Sequence, residues 1–479
     1  MSIYKNKLIL ILILLVVLSN SFLAQVGDYD EVIADINGDK ITASLFQELW
    51  EMSPHLESGN INNSLSAKIN FLNTIMAYKL WYHNREEYNF DDSSAYFTAV
   101  GEIEKMYVRD ALYRTKILDK IKIDSLELTN GIEKEKRTLE FNYIIAKDEE
   151  EIRNVYKLLN LGVPFELILS AREENSKQTE PIQIKFGDYP ELTENELFSM
   201  APNTFSNPIK FSDGYYLFYL RNVIKKIWIS EEEEKKELQT VQDIIKKRKE
   251  TLLLDSFMKD FLNKKKADVN RILFKKLENN LIEAFAKKTA EEGANYISLS
   301  IDEFLKIENK FTKAELESNF ISFESDTLKF GKYLRALYFN GIKMPAKDSL
   351  TVAASFDRYI RSYIEGELLY KEGIKEKLLY VPEVQKYLKM WREYYSFETI
   401  RDGMLDDEKM RFQITKKTAE YALKSNIKVN YEALKRIELT RINSTTIRYF
   451  GFGGSLSGVP IYTPNYEWTE RLELINAPL

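Results

Sequence analysis

Apolar and polar positions change rhythm several times along the chain. Lys5 and Lys7 precede an unbroken apolar run from Leu8 to Leu18, and Ser19-Asn20-Ser21 and Ala24-Gln25 follow. A positive start, a short apolar stretch and small residues after it are the three parts of a secretory signal. The run would rise only ~16 Å as a helix, against a hydrocarbon core of ~30 Å. Residues 1–24 are therefore expected to be a cleaved signal peptide, and the remaining chain to hold no membrane span. Val32-Ile33-Ala34-Asp35-Ile36 then reads as a short strand, and Asn37-Gly38 supplies a tight turn. Thr42 or Ser44 can cap a helix beginning near Leu45. From Ser64 to about Tyr88 the period becomes helical, with Ile69, Leu72, Met76 and Leu80 on one face. A further helical stretch runs from about Tyr96 to Ile123. Residues 25–135 thus read as a mainly helical lobe.

The texture changes over residues 136–226. Leu139–Ile145 reads as a strand, Glu149–Leu161 and Phe165–Glu173 as helices, Ile182–Phe186 as a strand, Thr193–Met200 as a short helix and Tyr215–Leu220 as a last strand. That β-α-α-β-α-β order is a compact α+β module. Ser230 with Glu233 forms a capping box for a connecting helix over residues 227–285. Residues 286–420 then echo the first lobe. A helix starts near Phe330, Leu368-Leu369-Tyr370-Lys371 sits much as Leu80-Trp81-Tyr82-His83 does, and Val381-Pro382 opens a helix with Leu388, Trp391 and Tyr395. We read this as a weak internal repeat. A C-terminal segment, 421–479, carries a glycine-rich turn at Gly451-Phe452-Gly453-Gly454.

Composition narrows the chemistry. The chain of 479 residues is 44% hydrophobic and 13% aromatic, enough for two to four domains with real cores. A net charge of −6 gives no basic face, so no nucleic-acid partner is expected. With no cysteine, thiol nucleophiles, disulfides and thiolate metal sites are excluded. His55 and His83 are the two histidines, and neither has a metal-ligand spacing. The glycine-rich turn lacks the Lys-Ser/Thr ending and following helix of a phosphate loop. No metal and no cofactor are expected.

The stretch Val32 to Thr42 resembles the start of the SurA/PrsA-type chaperones. Residues Leu139 to Val223 resemble a parvulin, or PpiC-type, prolyl-isomerase domain. Its opening strand Phe141-Asn142-Tyr143-Ile144-Ile145 is similar to the family's His-Ile-Leu strand, and Gly162-Val163-Pro164-Phe165 fits a Gly-x-x-Phe. Phe198-Ser199-Met200-Ala201-Pro202, Ser206-Asn207-Pro208-Ile209 and Gly214-Tyr215-Tyr216-Leu217 are similar to its later motifs. Lys265-Lys266-Ala267-Asp268-Val269 resembles the stretch after that domain.

This resemblance implies an α+β protein: mainly helical SurA-like chaperone lobes with one inserted parvulin-like β-α-α-β-α-β domain. It also implies work on unfolded or nascent envelope or secreted polypeptides, in the periplasm or on the outer side of a bacterial envelope. Parvulins lower a rotation barrier of ~18–20 kcal/mol. The family is understood to use two histidines on neighbouring strands, and here Tyr143 and Tyr216 occupy those positions. Positioned groups of this kind contribute roughly 10²–10⁴-fold, so the domain is expected to be catalytically degenerate. The alternatives are an active isomerase using the two tyrosines, or a secretion-machinery subunit with a fixed partner. Phe198 and Met200 are candidate substrate-binding residues, and at the family's proline pocket Thr193 falls where the family has phenylalanine. Trp50, Trp81, Tyr78 and Met106 are candidates for a client-binding lining.

Overall fold

A computed structural model describes residues 30–53, 64–88, 90, 95–172, 180–288, 296–345, 348–403, 407–440 and 445–476. The signal sequence and His55 lie outside them. The chain divides into two compact units, one made of Met1–Tyr113 and Lys265–Leu479, the other of Arg114–Lys264. Among the described residues no helix is long and apolar enough to cross a membrane.

In chain order the first unit starts with strands β1 (Val32–Ile36) and β2 (Asp39–Thr42), then helices α1 (Ala43–Glu51), α2 (Leu65–His83) and α3 (Ala95–Lys116). The second unit holds α4 (Ser125–Glu135), β3 (Arg137–Ala146), α5 (Glu149–Asn160), α6 (Phe165–Ser170), β4 (Ile182–Ile184), α7 (Glu191–Ser199), β5 (Ile209–Phe211), β6 (Gly214–Lys225) and α8 (Glu231–Leu262). The first unit resumes with β7 (Ala267–Val269), α9 (Arg271–Ala286), β8 (Ile297–Ser298), α10 (Ile301–Glu308) and α11 (Lys313–Leu316). Then come β9 (Asn319–Phe323), β10 (Thr327–Lys329), α12 (Phe330–Asn340), β11 (Lys343–Met344), α13 (Ser349–Lys375) and α14 (Pro382–Asp402). It ends with α15 (Asp407–Leu423), β12 (Ile427–Val429), α16 (Tyr431–Arg436), β13 (Ile447–Tyr449), β14 (Ser455–Ser457) and α17 (Trp468–Asn476). The protein is α+β, largely helical, with several small sheets.

The first unit joins residues far apart in sequence. Asn37 and Gly38 both take positive φ, as a two-residue hairpin turn requires, and Thr42 caps α1 by accepting from Leu45 N–H. The β1–β2 hairpin gains β12 as a third strand, in the order β12-β1-β2. A second hairpin, β9–β10, gains β7 in the same way, in the order β10-β9-β7. Each added strand leads through an asparagine that caps a helix, Asn270 into α9 and Asn430 into α16.

One core runs from Phe46, Leu72 and Trp81 to Leu388, Trp391, Tyr421, Leu434 and Trp468; another gathers Leu277, Phe285, Phe320, Phe330, Tyr333 and Phe356. Helix α2 departs from the one-faced stripe of the sequence pattern. Every residue from Leu72 to Trp81 is buried, because α14, α15 and α16 all pack around it. Its polar members are paired inside: Lys68 Nζ donates to the Ile437 carbonyl at 2.6 Å, and Thr74 Oγ1 accepts from Asn465 N–H at 3.2 Å. The chain end packs back on this core, where Trp468 Nε1 donates to the Asn73 carbonyl at 3.1 Å.

In the second unit the sheet order is β4-β3-β6-β5, antiparallel throughout. The strand β5 is an addition to the expected order. Successive side chains of a strand point to opposite faces. Ile144, Ala146 and Leu217 therefore meet α5 and α6 on one side, through Ile152, Val155, Leu159, Phe165 and Ile168. Leu139, Phe141, Phe218 and Leu220 meet α7 on the other, through Leu197 and Phe198. Ser230 caps helix α8, its Oγ accepting from Glu233 N–H at 3.1 Å. The expected capping box is not closed, since the Glu233 carboxylate accepts from Ile229 N–H at 2.9 Å, one residue before the cap.

Candidate functional site

The α7 face of the sheet carries the candidate site. Register pairs Tyr143 with Phe218 and Ile145 with Tyr216, so the two tyrosines are diagonal neighbours on one face. Their ring centroids lie 5.5 Å apart at 45°. Both are half-buried. Phe211 on β5 meets Tyr216 edge-on at 5.0 Å, and Tyr189, in the loop before α7, meets Phe211 at 5.6 Å. The four half-buried rings, with Met200 and Ile209 packed among them, form an apolar aromatic surface over the buried Phe141 and Phe218.

The polar chemistry of this face is already committed. Tyr216 Oη donates to Asp213 Oδ2 at 2.8 Å. Burial, and then the Asp213 carboxylate that holds its proton, push the Tyr216 phenol up to about 12, so the group is neutral across the physiological range. A hydrogen bond to a carboxylate is among the stronger kinds. Donation to a prolyl amide would first have to give that bond up. Among the described residues no hydrogen bond joins the two tyrosine hydroxyls; the pair meets through its rings.

Phe198 belongs to the interior. It is buried on α7, with Lys134 Nζ 5.9 Å and the Arg137 guanidinium 5.4 Å from its ring centre. Met200, just past the end of α7, stays half-buried at the edge of the aromatic patch. Thr193 lies half-buried on α7.

The candidates of the first unit fall largely into its core. Trp81 and Tyr78 are fully buried on α2. Trp81 Nε1 donates to Thr418 Oγ1 at 2.8 Å, and Tyr78 Oη donates to Glu398 at 2.6 Å. Trp50 packs between Phe46 and Phe71, with centroids 6.0 and 5.1 Å away. These rings serve packing, and their surfaces are covered by their own chain. Met106 on α3 differs, since it borders a cavity of the first unit.

Sequence reasoning missed several residues that shape the α7 face. Asp213 directly precedes the motif Gly214-Tyr215-Tyr216-Leu217 and belongs to none of the quoted runs. Tyr189 and Phe211 lay outside any quoted motif. Glu194 on α7 is fully buried, and its carboxylate accepts from Arg248, Lys134 and the Gly187 N–H. A single glutamate in a helical stretch gives no local signal of burial; its partners on α4 and α8 are far away in sequence. Among the described residues no group of acidic and histidine side chains could hold a metal ion. His83 instead bonds Asp39 at 3.2 Å.

Residues 133–227 match the family model of the PPIC-type PPIASE domain. Comparison with solved structures finds peptidylprolyl isomerase PrsA from Bacillus cereus, 17% identical over 47% of this chain and 92% of that one, with a TM-score of 0.22. It also finds a structure from the pair PEB4 and Cj1289, SurA-like chaperones of Campylobacter jejuni, 16% identical over 50% and 100%, TM-score 0.22. PrsA from Bacillus subtilis is 17% identical over 49% and 93%, TM-score 0.17. The comparison with curated proteins gave no match.

Proposed function

We propose that this chain, a member of the PpiC-type parvulin family through its 133–227 domain, is an exported chaperone that holds non-native polypeptides and has given up efficient prolyl isomerisation. The observation that carries the reading is the pair Tyr143 and Tyr216. They stand on the sheet face where the family resemblance places two histidines, and the Tyr216 hydroxyl is spent on Asp213. What remains around them is a half-buried aromatic surface with Met200 at its edge. Such surfaces hold extended segments weakly and with little sequence preference.

The sequence from Lys5 to Gln25 supports export, and the SurA/PrsA-like opening at Val32–Thr42 supports a role on envelope or secreted clients. The repeated plan of the two hairpin sheets, β12-β1-β2 and β10-β9-β7, supports a duplicated chaperone lobe. The test is light scattering of a chemically unfolded client diluted into buffer with equimolar chain and no ATP. Suppressed scattering is expected; aggregation at the rate of the client alone would overturn the reading.

A further inference from the structure

The first unit contains a cavity of about 660 Å³, bounded by α3, α12, α13, α14 and the β13–β14 turn. Four charged side chains line it, and they are not equally paired. Lys105 Nζ bonds Glu102 at 2.7 Å, the Glu367 carboxylate, and Tyr363 Oη at 3.2 Å. Glu102 also accepts from Asn340 at 2.8 Å. Lys105 and both carboxylates are thus satisfied within the protein. Arg109 is not. Its Nε donates to the Lys105 carbonyl at 3.2 Å, and among the described residues its two terminal nitrogens have no acceptor.

The position of that guanidinium is built by neighbours that leave it room. A Cβ on Gly366 of α13 would overlap Arg109 Nη1, and the nearest approach of a Cβ on Gly454 to Nη2 would be 3.8 Å. Gly366 therefore lets the fork lie close against α13, whereas a Cβ on Gly454 would meet it only in ordinary van der Waals contact. Burial holds the Arg109 guanidinium below its usual range, with Glu102 and Glu367 opposing that effect only in part. Among the other lining residues are four rings, Phe339, Tyr395, Tyr449 and Phe452, with Met106, Leu337 and Leu456 beside them.

We infer that this cavity binds a peptide carboxylate adjoining an aromatic side chain, with Arg109 as its bidentate partner. A guanidinium presents parallel N–H donors that match the two oxygens of a carboxylate, and the aromatic wall takes the neighbouring ring. The four resident charges sum to zero, so general attraction does not favour an anion; only direct pairing with Arg109 does. This inference rests on the client-binding reading and names the chain feature that the first unit selects.

The test is fluorescence anisotropy of an N-terminally labelled hexapeptide ending in Phe. It is offered to the purified chain as the free acid, as the C-terminal amide, and as an amide with Asp before the Phe. The free acid is expected to bind roughly 10–100-fold more tightly than the plain amide, the worth of a charged hydrogen-bond pair. Arg109→Met should erase that preference, and Arg109→Lys should keep part of it. Gly366→Ala displaces only the end of a flexible side chain and should reduce the preference with an unchanged melting temperature. If the Asp-containing amide equals the free acid, the site stands and internal acidic residues are its source. Equal binding of acid and plain amide, or a preference untouched in Arg109→Met, overturns the inference. Client scattering is measured on the same samples. Suppression without an acid preference removes this site and leaves the chaperone reading, whereas an acid preference without suppression does the reverse.

Discussion

Glu194 on α7 and Arg248 on α8 form an ion pair at 2.6 Å, with the carboxylate fully buried. The same carboxylate accepts from Lys134 of α4 at 2.9 Å and from Gly187 N–H at 2.7 Å, while Arg248 also donates to the Tyr189 carbonyl at 3.1 Å. One side chain inside the α+β domain therefore fastens the helices on either side of it in sequence. It also fixes the loop that presents Tyr189 to the aromatic patch.

Removing this carboxylate should be costly. Glu194→Ala leaves two cations and a backbone N–H without their acceptor, and breaking such a pair typically costs about 3–5 kcal/mol. The partial exposure of Lys134 and Arg248 places the expectation near the lower end. Urea unfolding of the chain followed by a probe in residues 114–264 would measure it; a loss under about 1 kcal/mol would contradict the clamp.

The pH dependence has a definite sign. Burial alone would raise the Glu194 pKa, but Arg248, the Gly187 N–H and Lys134 outweigh it and hold the carboxyl below its usual range. Its stabilisation is fully present above the unfolded-state value of about 4.3 and is lost as pH falls through the lower folded value. Glu194→Gln should therefore flatten the acid limb of stability against pH, with little change in slope above pH 6.

The first unit has its own buried charges. Lys79 Nζ bonds Glu393 at 2.7 Å and Asp39 at 3.2 Å, and Asp39 also meets His83 at 3.2 Å and Lys389 at 2.7 Å. Burial opposes the Asp39 charge, yet His83, Lys79 and Lys389 together hold its carboxyl well below the usual range; burial raises Glu393 despite Lys79. Lys79→Met should destabilise by about 3–5 kcal/mol because Glu393 loses its counter-charge in the interior. The double variant with Glu393→Leu should recover much of that loss, since neither charge remains to be buried. Chemical denaturation of the two variants gives the coupling directly.

Trp81 distinguishes core from groove. Trp81→Ala should cost about 3–5 kcal/mol, whereas Trp81→Phe should keep most of the stability and all of the suppression of client aggregation. Loss of suppression in a stably folded Trp81→Phe chain would assign this ring to client contact.

The order of elements from Leu139 to Leu220 could be read from the sequence because strand alternation and helical period are local signals. The Ser230–Glu233 cap and the Asn37-Gly38 turn were legible for the same reason, being contacts over a few residues. The burial of Tyr78 and Trp81 was not. Their covering partners, Glu398, Phe397, Thr418 and Tyr462, are more than three hundred residues away, and a helix wrapped on all sides shows no stripe to orient it. Tyr143 and Tyr216 were found through motif position, but the commitment of Tyr216 to Asp213 depends on the turn geometry of β5 and β6. Arg109 was missed entirely, because its lack of an acceptor is a property of three-dimensional neighbours, Gly366 on α13 among them.

The central claim is that the parvulin-type domain binds without accelerating bond rotation. Exchange NMR on a short Xaa-Pro peptide, with the full chain added in catalytic amount, tests it most directly. The cis–trans exchange is expected to keep its uncatalysed time constant of roughly tens to hundreds of seconds, in the parent chain and in Tyr143→Phe and Tyr216→Phe alike. Acceleration by the parent chain that disappears in either variant would contradict the account.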